Sequence, residues 1–113
     1  MIAQTIYISG PVTGMPGRNE VAFRTAADAL ARTGSAVINP LDVVEDPDME
    51  HGKAMRLCLA ALKRADGVCL LDGWEKSQGA LQEYGEALHL GIECKGLSEW
   101  IRERGMAASK GWR

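Results

Sequence analysis

The sequence has no block of Lys or Arg. Thirteen basic residues stand against fifteen acidic ones, a formal net charge of −2 over 113 residues. A general nucleic-acid surface needs a basic stripe, so no nucleic-acid duplex is expected as a partner, although a phosphate pocket made of backbone N–H groups stays open. No stretch approaches the roughly 20 apolar residues of a membrane span, so no membrane partner is expected. Met1-Ile2-Ala3-Gln4 carries neither the charged segment nor the long apolar stretch of a signal peptide. Cysteine is scarce and odd in number: Cys58, Cys69 and Cys94 form no CxxC pair, and the His and Cys spacing fits no zinc template. The acidic stretch Asp42, Glu45, Asp46, Asp48 and Glu50 lacks the calcium-loop spacing and reads as a solvated loop. No metal is therefore expected. Cys69, inside the apolar run Val68-Cys69-Leu70-Leu71, reads as a buried reduced thiol, so the reading is a cytoplasmic chain.

What is present is a regular alternation of strand-like and helix-like segments, with no internal repeat, in a chain of one-domain size. Thr5 to Ser9 is a short β-branched and aromatic run closed by Gly10-Pro11, hence a first strand. Residues 12–18 read as a loop. Asn19 is the expected N-cap of a first helix over 20–33, with Phe23, Ala26, Ala27 and Leu30 at helical spacing and Gly34 as its stop. Ser35 to Asn39 gives a second strand, and residues 41–52 a loop or lid. Met55, Cys58, Leu59 and Leu62 share one face of a second long helix over 53–64. Val68 to Leu71 is apolar throughout, as expected of a strand covered on both faces. Ser77 opens a third long helix that runs to about Leu90, with Gly91 as its stop. Residues 92–94 suggest a short fourth strand, 97–104 a weak helix and 105–113 a flexible tail.

This order predicts an α/β fold: a small flavodoxin- or Rossmann-like three-layer sandwich around a parallel sheet of about four strands, order 2-1-3-4. Ligands in such sheets bind beyond the carboxyl ends of the strands at the switch point. That places a site at Ser9-Gly10-Pro11 and Asp72-Gly73-Trp74 before any motif is considered.

The third long helix carries the chemistry. Its expected apolar stripe is Ala80, Leu81, Tyr84, Ala87, Leu88 and Gly91, with Glu83 at the border and Glu86 on the solvated side. A side chain on a helix leans toward the N-terminus, so Glu83 leans over Gly79, which leaves room for a ligand. Ser77 is the N-cap, where free N–H groups and the helix dipole favour a phosphate or hydroxyl. A carboxylate over a cleft beside such a helix start suits N-glycosidic chemistry, in which positive charge builds at the anomeric carbon. Asp72 is the nearest candidate to help the base leave. The same residues also fit a plain helix, with Ser77 as cap, Gly79 as a packing residue and Glu83 as a surface acid.

Tyr7-Ile8-Ser9-Gly10-Pro11, and Ser77-x-Gly79-x3-Glu83 after Leu71-Asp72-Gly73-Trp74, resemble the nucleoside 2-deoxyribosyltransferase superfamily. The stretch Gly73 to Ala80 resembles its short branch common in phages and prophages. The resemblance covers the chain to about Gly91. It implies cleavage or transfer at the N-glycosidic bond of a nucleoside or nucleoside 5′-monophosphate. Glu83 is then the nucleophile and Tyr7 the residue that orients it. Ser9 and Gly10 would line the sugar pocket, and Ser77 and Gly79 would grip the 5′-phosphate. Trp74 is read either as a stacking wall for the base or as lid packing. No metal or organic cofactor is implied, and a homodimer or larger assembly is. One departure is Cys58, which stands where the superfamily has an aspartate on the second helix. A buried thiol stays protonated and cannot do that work well. The alternative reading is therefore a nucleotide-binding or sensor protein with the same pocket, and beyond that a scaffold alone. Arg18 and His51 could reach a ligand but read as solvated, and Asp66 reads as a turn residue.

Overall fold

The computed structural model describes residues 4–103. The tail expected over 105–113 lies outside them. In chain order the elements are β1 (Thr5–Ser9), α1 (Glu20–Arg32), β2 (Ala36–Ile38), the one-turn α2 (Pro40–Val43), α3 (His51–Leu62), β3 (Gly67–Leu70), α4 (Gln78–Leu90) and β4 (Glu93–Gly96). A further helical stretch occupies 97–103. All strand pairs are parallel and the order is β2-β1-β3-β4. The molecule is thus the small Rossmann-like α/β sandwich its strand and helix alternation predicts. Among the described residues no helix is long and apolar enough to cross a membrane.

The alternation of side chains along β1 sorts the core into two layers. Ile6 and Ile8 face α1 and the 97–103 stretch, packing with Phe23, Leu30, Cys69 and Trp100. Tyr7 faces the other way, into the layer with Cys58, Leu62, Val68 and Ala87 of α3, β3 and α4. Cys69 is fully buried, and loss of hydration pushes its thiol up to about 12, so it stays protonated.

Several boundaries differ from the expected ones, each for a local reason. α3 begins at His51 because Glu50 caps it, its carboxylate accepting from Gly52 N at 2.7 Å and Lys53 N at 3.0 Å. The presumed loop after β2 opens with a helical turn because Asn39 Oδ1 accepts from Leu41 N at 3.0 Å and Pro40 takes the first helical position. Asn19 is not a side-chain cap. Its backbone is left-handed (φ 59°) and its Nδ2 donates to Pro11 O at 3.0 Å instead. The weak helix expected near the end is helical over 97–103, because Trp100 anchors it: the indole is 2% exposed and Nε1 donates to Val68 O at 2.9 Å.

Gly67 lets that indole settle on the sheet. A Cβ there would lie 2.4 and 2.6 Å from two Trp100 ring carbons. Gly67→Ala should therefore lose about 1–3 kcal/mol of unfolding free energy in a urea titration, the usual cost of overpacking. Gly85→Ala, where an added Cβ meets nothing within 4 Å, should be neutral or gain up to about 1 kcal/mol. Equal behaviour of the two variants would show that Trp100 does not rest on Gly67.

Candidate active site

Tyr7 and Ser9 occupy alternate positions of β1 and are fully buried. Both face the α3 and α4 layer, where α4 brings Glu83 onto them. The inward positions of α4 are Ala80, Glu83 and Ala87. Leu81 and Leu88, expected inside, are 44% and 58% exposed. The reason is steric and polar together. Two alanines let the helix lie close to the sheet, and the hydroxyls of β1 supply what a carboxylate needs in order to be buried. Glu83 is accordingly only 5% exposed, deeper than the border position its spacing predicts.

Tyr7 Oη donates to one Glu83 oxygen at 2.5 Å, and Ser9 Oγ donates to the other at 2.6 Å. Each hydroxyl has a single proton, so both are committed to the carboxylate and favour its ionised form. Desolvation opposes them and prevails: the Glu83 carboxyl is held above its usual range, with the Ser9 and Tyr7 hydrogen bonds pulling it back. The Tyr7 phenol is pushed well above its ordinary value, first by burial and then by the Glu83 charge, so it remains a donor. Cys58, 8% exposed, lies beside Tyr7, and burial raises its thiol as well. The result is a desolvated carboxylate of raised basicity, fixed by two donors.

Glu83 lines a cavity of about 790 Å³, within the size range of small-molecule sites. One wall is the loop after β1, with Gly10 and the residues from Val12 to Met15. A second is the segment after β2, with Leu41, Val44, Asp46 and Met49, and a third is α3, with His51, Met55 and Cys58. The start of α4 closes it through Ser77, Gln78 and Gly79. Gly10 is required where β1 leaves the sheet, since a Cβ there would come within 2.8 Å of Leu71 Cβ. Ser77 Oγ accepts from Ala80 N at 3.2 Å and caps α4. That leaves the N–H groups of Gln78 and Gly79 free of acceptors among the described residues. These free N–H groups give the cavity an electropositive end.

Of the residues singled out from sequence, Glu83, Gly10, Ser77 and Gly79 line the cavity, while Tyr7 and Ser9 stand behind it as partners of Glu83. Asp72 is exposed, and neither it nor Pro11 lines the cavity. Trp74 packs on Tyr84 with ring centroids 4.7 Å apart, away from the cavity wall, which is a packing position. The site has therefore shifted from the β1/β3 switch point toward β1, β2 and α3, because the turn after β3 folds back onto α4. Arg18 and His51, read as solvated, both line the cavity. So do Met15, Met49 and Met55, soft apolar surface that no spacing in the sequence flags. Glu50, the cap that makes His51 the first residue of α3, was the available signal for His51.

Residues 4–95 of the chain match the family described as "Domain of unknown function (DUF4406)". No curated protein is similar enough to the chain to count as a match.

The burial of Glu83 makes its protonation a stability term. The ordinary carboxyl value is 4.5 and the folded value is higher, so between the two the folded state holds more protons than the unfolded one. Stability is complete below 4.5 and falls as pH rises through the folded value. Glu83→Gln removes that dependence. Its melting temperature should gain on the wild type as pH is raised from 4.5 to 8. A constant difference across that range would show that the carboxylate is not desolvated.

Proposed function

We propose that this chain, which belongs to the DUF4406 family, binds a nucleoside or nucleoside 5′-monophosphate in the cavity and cleaves or transfers at its N-glycosidic bond. The observation that carries the reading is the buried Glu83 carboxylate, held by Tyr7 and Ser9 at the wall of a nucleotide-sized cavity. The resemblance to the nucleoside 2-deoxyribosyltransferase superfamily in Tyr7-x-Ser9-Gly10-Pro11 and Ser77-x-Gly79-x3-Glu83 is consistent with it.

In this mechanism a Glu83 oxygen attacks the anomeric carbon. The carbon–nitrogen bond breaks with its electron pair going to the base, and a glycosyl ester forms on Glu83. Water or a second base then attacks the same carbon and returns the carboxylate. The raised basicity of Glu83 makes it a better nucleophile, and Tyr7 and Ser9 hold its oxygens in one orientation without neutralising them. The departing base needs a proton. His51 and Asp46 are titratable groups of the cavity wall, whereas Asp72 is not. The free N–H groups at the start of α4 suit the 5′ end of the ligand. This chemistry requires no metal or organic cofactor. Leu81 and Leu88 give α4 an apolar outer stripe that a second copy of the chain would cover, in keeping with a homodimer or larger assembly. Cys58, where the superfamily carries an aspartate, favours a second reading: a nucleotide-binding protein that retains the pocket without turnover.

Incubation with a panel of ribo- and deoxyribonucleosides and their 5′-monophosphates should release free base, and Glu83→Gln should lower that release by about 10³-fold or more while ligand-induced thermal stabilisation persists. Stabilisation without product from either protein would select the second reading. Gly79→Ala is a separate check on the cavity. The new methyl would sit in ordinary contact with Met55 Sδ at 3.4 Å, so folding should stay within about 1 kcal/mol of the wild type. Ligand binding should weaken by about tenfold or more as the methyl enters the cavity. Unaltered affinity would place the ligand elsewhere.

A further inference from the structure

Arg18 is the feature of the cavity that the glycosyl chemistry leaves unexplained. It lies in a run of three left-handed residues, Gly17 (φ 57°), Arg18 (φ 58°) and Asn19 (φ 59°). Among the described residues, Arg18 and Asn19 are the non-glycine positions with positive φ. Side chains other than glycine adopt that conformation at a cost, and it persists where the surroundings hold it. Here the hold on Asn19 is its bond to Pro11 O, and the hold on Arg18 is its guanidinium. Arg18 Nη2 donates to Val44 O at 2.5 Å and Nη1 to Glu45 O at 3.2 Å. The left-handed turn thus aims a cation at the cavity and ties the loop after β1 to the segment after α2.

Both partners of the guanidinium are neutral carbonyls. The ion pairs among the described residues are Arg24–Glu20, Lys95–Glu93 and Lys95–Glu103, and none includes Arg18. A guanidinium has five N–H donors in a planar fork, so two carbonyls leave it with spare donors and an unneutralised charge at a cavity wall. Its charge is felt by the Cys58 thiol, which lines the same cavity from α3. A phosphate-type oxyanion accepts two parallel charge-assisted bonds from such a fork, each stronger than a bond to a neutral carbonyl.

The geometry points to Arg18 as the specificity-determining cation of the cavity: it selects a phosphate-bearing ligand over the matching neutral nucleoside, exchanging the carbonyls of Val44 and Glu45 for the oxyanion. The exchange frees the segment after α2 from the loop after β1, so that recognition of the anion and adjustment of that wall are one event. Identification of the ligand as a nucleoside 5′-monophosphate rests on the reading of the cavity given above. The preference for an oxyanion is argued from the Arg18 fork, with Lys76 and the free N–H groups at the start of α4 lining the same cavity.

The two are separated by titrating the wild type, Arg18→Gln and Arg18→Lys at constant ionic strength with three probes: inorganic phosphate, a panel of nucleosides and their 5′-monophosphates. The readout is thermal stabilisation. Inorganic phosphate should stabilise the wild type, and Arg18→Gln should need at least about tenfold more phosphate for the same stabilisation. The 5′-monophosphates should act on the wild type at about ten- to a hundredfold lower concentration than the nucleosides. Arg18→Gln should lose that advantage while keeping its response to nucleosides, and Arg18→Lys, a point charge without the fork, should fall between. If Arg18→Gln does not fold, Arg18→Gly takes its place, since glycine accepts the left-handed backbone. Phosphate that stabilises wild type and variant equally, or neither, overturns the assignment, as does a wild type that answers to nucleosides and monophosphates at equal concentrations. A wild type that answers to phosphate through Arg18 and to no nucleoside or nucleotide overturns the nucleotide reading and leaves the oxyanion assignment standing.

Discussion

The site depends on one pair of hydrogen bonds, from Tyr7 and Ser9 to the carboxylate of Glu83. A carboxylate cannot enter a protein interior unless its lone pairs are met, and here two strand hydroxyls meet them from a neighbouring element. The contact joins β1 to α4 across 76 and 74 residues of chain. It sets the rotation of the helix, turns Leu81 and Leu88 outward, and holds the acid where the cavity reaches it. Desolvation and the two donors act in opposite directions on the carboxyl, and the balance leaves it more basic than usual. A carboxyl in that state at a cavity wall is a candidate for chemistry as well as for packing.

The rest of the cavity follows from where the strands end. Ser9 faces the α3 and α4 layer, and the chain beyond it has to turn tightly at Gly10 beside Leu71. The loop it enters, the segment after α2 and the starts of α3 and α4 converge on the same end of the sheet. Each of those starts is fixed by its own side-chain cap, Glu50 for α3 and Ser77 for α4. Capping and the left-handed turn at Arg18 are local devices, yet together they give a cavity whose walls come from four separate parts of the chain.

The fold was legible because its signals are periodic and local. The β-branched run at Thr5–Ser9, the buried run at Val68–Leu71, the helical spacing from Phe23 to Leu30 and the stops at Gly34 and Gly91 each report on a few neighbouring residues. The parallel sheet in order 2-1-3-4 then follows from crossover handedness. Much of the site was legible for a similar reason: Ser77, Gly79 and Glu83 share one helix, and Tyr7, Ser9 and Gly10 share one strand end. Asp72 and Trp74 follow β3 directly, yet the turn there carries them off the cavity, Trp74 onto Tyr84. His51 is exposed, as it read, and lines the cavity as well, while Arg18 is held at the cavity by the carbonyls of Val44 and Glu45, partners distant in sequence that no spacing rule flags.

The sequence by itself determined the elements and their alternation and singled out Glu83, since period, capping residues and chain breakers act within a turn or two of their own position. Only the tertiary structure decided that Glu83 is buried rather than at the border, that its partners are two hydroxyls, and that Arg18 faces the cavity. Those outcomes depend on how closely α4 approaches β1 and on which carbonyls the loops present. Both are properties of packed distance rather than of chain order.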